Sequence, residues 1–359
     1  MRVQAKYRRF GTHGEGVARW LTAVLCAVLM VAGTAWGSVA VLLEQPYGKL
    51  GIFDPAGHSA IYLDHVCAAS PVELRACRPG ELGVVVSRYD GIGGYDWLAM
   101  PLMAYLYAVD SASEIPLTMD RVGEVKLRDE YRRAHLEMVA PDLPDEKMPD
   151  GNWYELVGAA YDRSIYGFSV RTTEEQDARL IAEFNDRENV SHYNGFSSNC
   201  ADFSRVMINR FYPHAVRRNF IADVGMTSPK SVARGLTHYA KKHPETGLQV
   251  FMIPQVKGAL PRSHPAQDFA EGILKRYSVP LVVLSPTTTA AVFAAYVVHG
   301  RFSMPKDAVV LDVRDSSSMM LLSEVAAAGE PEKVEAPVKL VGGGGKVPAG
   351  GVVLVGRSN

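Results

Sequence analysis

Apolar and polar positions along this chain sort first into strands. Val39-Ala-Val-Leu-Leu43 is a continuous apolar run, ended by Pro46-Tyr-Gly and a Gly/Asp/Pro stretch from Gly51 to Gly57. His58-Ser-Ala-Ile-Tyr-Leu63 and Leu82-Gly-Val-Val-Val-Ser-Arg88 are two further apolar runs rich in β-branched residues. They read as an antiparallel pair joined by the segment that holds Cys67 and Cys77. Setting Cys67 across from Cys77 puts His58 opposite Val86, within a residue or two of Ser87 and Arg88. The stretch from Trp97 to Tyr107 is apolar but interrupted by Pro101, and is expected to be buried irregular or helical structure.

Helical periodicity follows. Lys126 to Val139 is charged and periodic, and Asn152 to Asp162 predicts a shorter helix with Trp153, Leu156, Val157, Ala160 and Tyr161 inward. Ser164 to Val170 alternates as a strand does. Thr173-Glu-Glu-Gln176 is a capping box that opens a helix through Phe184. A polar loop, Asn185 to Asn194, leads to Ser197-Ser198-Asn199-Cys200-Ala201-Asp202-Phe203. There Asn199 is placed to cap a helix, with Asp202 returning a bond, and Phe203, Val206, Met207 and Phe211 give one apolar face. Ser228-Pro229 starts another helix, to about Lys242.

Beyond Gly247, Leu248 to Pro254 and Ser278 to Leu284 read as strands, and Ser285-Pro286 caps an apolar helix ending at His299-Gly300. Tyr277 to Val298 carries no charge, which raises a membrane span; Pro280, Pro286 and Thr287-Thr-Thr289 favour strand, turn and buried helix. From Glu330 onward a Glu/Pro/Lys stretch gives way to Gly342-Gly-Gly-Gly345, the composition of a flexible tail.

With 359 residues the chain can bury a full core. The 38 Lys+Arg nearly cancel the 39 Asp+Glu, and no basic cluster asks for nucleic acid. The N-terminus departs from this even mixture. Arg2, Lys6, Arg8, Arg9 and Arg19 precede a charge-free run from Trp20 to Leu43, with the small-residue pattern Ala35-Trp36-Gly37 inside it. That is the pattern of an export signal cleaved near Gly37, or of an uncleaved anchor; either puts the body of the protein outside the cytoplasm. The expected division is residues 1–37 signal or anchor, 38–245 main domain, 246–328 an α/β extension packed on it, and 329–359 tail.

Export changes the reading of the cysteines. Cys26 falls in the export segment, and Cys67 and Cys77 suit a disulfide closing a hairpin in an oxidising compartment. Cys200 is then left over, and an odd thiol in an exported protein points to reactivity. At a helix start, the dipole would favour its thiolate, and backbone N–H groups there could receive an oxyanion. The rival grouping of His58, His65, Cys67 and Cys77 as a zinc site matches no usual ligand spacing. No cofactor is expected.

A thiolate nucleophile needs a base, and His58 differs from the other histidines. His13 precedes the export signal, His135 lies on a charged helix, His238 and His243 sit at a Lys-rich helix end, and His192 is in a polar loop. His58 follows a glycine and opens an apolar strand, which would hold its ring rigidly at a sheet edge.

Gly-His at a strand start and, much later, Asn-Cys at a helix start resemble the circularly permuted papain-like proteins, in which histidine precedes cysteine. These include permuted NlpC-type peptidases and lecithin:retinol acyltransferase-like enzymes. The long interval, with Thr173-Glu-Glu-Gln176, Tyr193 and Asn199-Cys200-Ala201, is most similar to a bacterial envelope branch containing Lnb-type lipoprotein N-acyltransferases. The resemblance covers roughly residues 39 to 215. It implies an α+β fold, an antiparallel sheet packed on helices, with Cys200 as nucleophile, His58 as base and a polar residue on the neighbouring strand to orient the imidazole. Ser87 fits that place best, and Tyr89 is the alternative. The function this implies is acyl transfer, or amide hydrolysis if water is the acceptor, on a lipid, lipoprotein or cell-wall peptide near a membrane surface. A domain of the same fold that has lost catalysis and binds a lipid or peptide in its cleft is the other reading.

Overall fold

The computed structural model describes residues 36–48, 56–144, 149–220, 223, 225–315 and 318. The strands are β1 (Trp36–Glu44), β2 (His58–Leu63), β3 (Val66–Ser70), β4 (Glu73–Ala76), β5 (Val84–Ser87), β6 (Leu98–Pro101), β7 (Ile165–Thr173), β8 (Gln249–Ile253) and β9 (Val309–Val310). A seven-stranded sheet runs β6-β5-β2-β1-β7-β8-β9, and β3 pairs with β4 apart from it. Its pairings are antiparallel except β8–β9. The helices are α1 (Leu102–Tyr107), α2 (Arg121–His135), α3 (Ala159–Asp162), α4 (Glu174–Asp186), α5 (Cys200–Phe211), α6 (Pro229–Lys242), α7 (Phe269–Leu284) and α8 (Pro286–Ala295). The chain is therefore α+β, a mostly antiparallel sheet packed with helices.

The unbroken apolar run in β1 reflects its central place in the sheet. Val39, Val41 and Leu43 face one core with Phe168, Met207, Val232 and Leu236, supplied in part by α5 and α6. Ala40 and Leu42 face the other with Tyr62, Val85, Leu106 and Tyr161. Alternate side chains leave a strand on opposite faces, so a strand covered on both sides is apolar throughout. Each such Val or Leu contributes about 1.5–3 kcal/mol by leaving water.

Several local signals act as the sequence implies. Thr173 and Gln176 form the capping box of α4. Ser228 caps α6 with Pro229 at its first position, and Ser285 caps α8 by accepting from the Thr288 N–H. Cys67 and Cys77 are joined in a disulfide.

Other expectations are corrected. Strand β1 begins at Trp36, three residues before the expected Val39. A Cβ at Gly37 would come within 2.8 Å of His65 Nδ1 and Thr172 Oγ1, which only glycine avoids. The segment around the disulfide is itself the β3–β4 hairpin, with a bulge between Ala68 and Ser70 and Cys67 across from Arg75. The β2–β5 register consequently differs from that inferred from the cysteines: Ile61, not His58, lies across from Val86. Residues 152–162 do not form one helix. A short turn (Trp153–Glu155) and α3 are separated by Gly158, which sits at φ +76°. Helix α2 starts earlier than Lys126, because Asp120 caps it by accepting from Gly123. The apolar stretch from Trp97 holds an edge strand, β6, before α1. Ser278 to Leu284 is helical, the second half of α7, and not a strand. The export segment before Trp36 and the tail from residue 329 lie outside the described residues.

Candidate active site

A strand start and a helix start meet at a cavity, with a second strand end bonded behind them. His58 is the first residue of β2, Ser87 the last of β5, and Cys200 the first of α5. A hydrogen bond of 2.8 Å from Ser59 Oγ to Ser204 Oγ ties the residue after His58 to the helical turn that follows Cys200. Arg88, next to Ser87, donates to Ser198 Oγ at 2.9 Å and pairs with Asp96 at 2.6 Å, holding the loop that enters α5. His58 and Cys200 both line a cavity of about 290 Å³, together with Tyr89, Tyr154, Glu155 and Arg163.

The imidazole of His58 is fixed on both sides. Its Nε2 lies 2.7 Å from Ser87 Oγ, and that hydroxyl donates to the Ser59 carbonyl at 3.1 Å. A serine has one hydroxyl proton. With that proton donated to the Ser59 carbonyl, Ser87 accepts from Nε2–H, and Nδ1 keeps the lone pair. The ring stacks on Tyr89, centroids 4.6 Å apart and planes 11° from parallel. Strand β5 ends at Ser87, so Tyr89 continues the β2–β5 register to the place across from His58, and Ser87 is the diagonal neighbour. Of the two expected orienting residues, Ser87 makes the bond. Tyr89 supplies the stacking surface and sends its hydroxyl to the Glu155 carbonyl at 3.0 Å. Burial, with the positive charge of Arg163 adding to it, holds the imidazole's pKa well below its usual value, so the ring is neutral near pH 7.

At the helix start, Asn199 Oδ1 accepts from the Asp202 N–H at 2.9 Å. Its amide group donates to the Gly195 and Thr227 carbonyls at 3.0 and 3.1 Å. Asn199 is thus a fully engaged structural cap, and its side chain is not a donor to substrate. Asp202 does not complete a capping box; its Oδ1 accepts from Arg218 at 2.7 Å and from Thr227 Oγ1 at 2.8 Å. Val206 is 40 % exposed, and Ile208 takes its expected place in the core beside Phe203, Met207 and Phe211. Cys200 is half-buried and outside the disulfide. With both partner sulfurs in the Cys67–Cys77 bridge, His58, His65, Cys67 and Cys77 do not make a zinc site.

Arg163 and Glu155 line the cavity, backed by a buried Glu44, a charged cluster that the sequence did not reveal. Arg163 is buried between Glu44 and Glu155, at 3.1 and 3.2 Å, and lies over the Tyr47 ring at 4.6 Å. Tyr105 donates to the other oxygen of Glu44. Burial raises the Glu44 pKa, and Arg163 only partly offsets this. One signal was available, since Glu44 is a lone acid closing the apolar run of the central strand and needs a buried cation.

The fold and site define a mixed α+β protein whose cleft joins a helix-start cysteine to a neutral, serine-bonded histidine. No family model, curated protein or solved structure matches the chain.

Proposed function

We propose that the chain is an exported cysteine-dependent acyltransferase or amidase/peptidase of circularly permuted papain-like architecture, acting on a lipid, lipoprotein or cell-wall peptide of a bacterial envelope. The observation that supports it most is the His58–Ser87–Ser59 hydrogen-bond series, which holds an imidazole that lines the same cavity as Cys200. It leaves Nδ1 as an acceptor on a neutral ring, the form a general base requires.

In the proposed reaction His58 Nδ1 takes the Cys200 thiol proton as the sulfur attacks a carbonyl carbon. The new C–S bond gives a tetrahedral oxyanion, received by backbone N–H groups at the start of α5. When the intermediate collapses, the bond to the amine or alcohol breaks, and His58 returns the proton to that leaving group. Water, an amine or an alcohol then gives its proton to His58, attacks the thioester and releases the thiol. A cavity of about 290 Å³ suits a headgroup or a peptide unit rather than a whole lipid.

The reading is tested with a thiol-directed acyl probe, the adduct being mapped by mass spectrometry. Acylation is expected at Cys200, abolished by Cys200→Ser and slowed at least about tenfold by His58→Ala near neutral pH. A Cys200 that reacts no faster than an ordinary thiol, and is indifferent to His58→Ala, would refute it. The deep burial of His58 favours one second reading, a domain of this fold that binds in the cleft without turnover, and that same negative result is its expectation.

A further inference from the structure

Helices α7 and α8 form a hairpin that turns at Ser285-Pro286. Its sequence is strongly apolar, yet many of its described side chains are exposed. Val279 is 73 % exposed, Val283 77 % and Leu284 82 %, and Phe293, Val297 and Val298 are also exposed. Val282, Val283 and Leu284 are consecutive and all exposed, so they point in different directions around the helix. A groove on a soluble partner needs a single apolar face; an apolar surface all round suits a lipid environment.

The hairpin has further features of a lipid-embedded element. Two hydroxyls at its turn bond within the hairpin: Ser285 Oγ donates to Thr288 Oγ1 at 2.7 Å, and Thr289 Oγ1 donates to the Ser285 carbonyl at 2.9 Å. Groups satisfied in this way need no water. No formal charge lies between Tyr277 and Val298; Arg276, Arg301 and Lys306 flank that stretch, as does Lys275, which pairs with Glu271 at 2.7 Å. Helix α7 kinks at Tyr277, and from Ser278 to the Ser285 turn it spans about 10 Å at the helical rise, within one leaflet of a hydrocarbon core of about 30 Å. Among the described residues no helix is long and apolar enough to cross a membrane. Between the helices is a cavity of about 580 Å³, lined mainly by Leu274, Val282, Pro286, Phe293 and Tyr296, with the paired Glu271 and Lys275 also in its wall. The base is held to the body, since buried Glu271 of α7 pairs with Lys230 of α6.

We propose that the α7–α8 hairpin is a lipid anchor. Its Ser285-Pro286 tip enters one leaflet of an anionic bilayer, an acyl chain occupies the cleft between the helices, and the basic base meets the phosphates. This inference is independent of the thiol chemistry.

The full chain, reconstituted in vesicles of phosphatidylethanolamine with phosphatidylglycerol, is irradiated with a phospholipid bearing a diazirine in its acyl chain. Lipid adducts are expected within residues 277–298. Val283→Asp with Leu284→Asp should cut them at least about tenfold without changing the melting temperature. Should that pair unfold the protein, Arg276→Gln with Arg301→Gln leaves the apolar surface intact and should lower adduct yield only in anionic vesicles. An absence of lipid adducts in 277–298, or crosslinks from hairpin to hairpin of a second copy in their place, would overturn the proposal.

Discussion

Replacing Ser87 by alanine removes one oxygen from the centre of the site and little else, because the two side chains nearly match in volume. The hydroxyl has two bonds, accepting from His58 Nε2–H at 2.7 Å and donating to the Ser59 carbonyl at 3.1 Å. Ser87 is 1 % exposed and His58 8 %, so water does not readily replace it. Leaving a buried donor unsatisfied costs about 1–3 kcal/mol. The stacked Tyr89 fixes the ring plane but not which nitrogen keeps its proton, so this cost is equivalent to about 5–150-fold in the population of the ring with Nδ1 as acceptor. Acylation of Cys200 in Ser87→Ala is therefore expected to slow about tenfold or more at neutral pH, with a modest fall in melting temperature. Ser87→Thr, which keeps the hydroxyl on a β-branched residue suited to a strand, should recover most of the rate. The assay is the time course of acyl-probe labelling by intact mass, with a thermal melt in parallel. If Ser87→Ala melts lower but labels at the wild-type rate, Ser87 is only a structural bond, and the positioning argument fails.

The His58 pKa is lowered in the folded chain, so below about pH 6.5 an unfolded His58 takes a proton that the folded one refuses, and its contribution to stability is lost as pH falls through that value. Stability should therefore drop more steeply from pH 7 to 5 in the wild type than in His58→Gln; Asp177, Asp223 and Asp268, raised to about 6 by burial, act oppositely in both proteins and leave the difference. Nitrogen NMR of the imidazole at pH 6.5 should find it neutral with the proton on Nε2, and an imidazolium there would contradict the site geometry. For the disulfide, replacing both Cys67 and Cys77 by serine should cost about 2–3 kcal/mol in denaturant unfolding, as for a bridge closing so short a loop; an unchanged midpoint would show that it does not restrain the unfolded chain.

Sequence alone determined what short-range chemistry controls. Thr173 with Gln176, Ser228 with Pro229, and Asn199 before Cys200 each mark a helix start, because a cap bonds to N–H groups only two or three residues away. The doubly covered strand Val39–Leu43 was legible because both of its faces are apolar. The leftover thiol followed from counting cysteines. Ser87 was reached as the partner of His58 through a register that the structure corrects, and it stayed within reach because diagonal neighbours across a strand pair are close.

Tertiary structure decided the rest, because a strand needs a partner that no local pattern names. Ser278 to Leu284 has the β-branched content of a strand, yet it is helical, and a helix satisfies its own backbone without a neighbour. Leu98–Pro101 looked irregular and became a strand because β5 offers it a pairing edge. The Glu44–Arg163–Glu155 cluster beside the cavity left only the hint of an isolated acid, since Glu44 is far in sequence from the other two and its ion pair exists only where the sheet brings β1 beside β7.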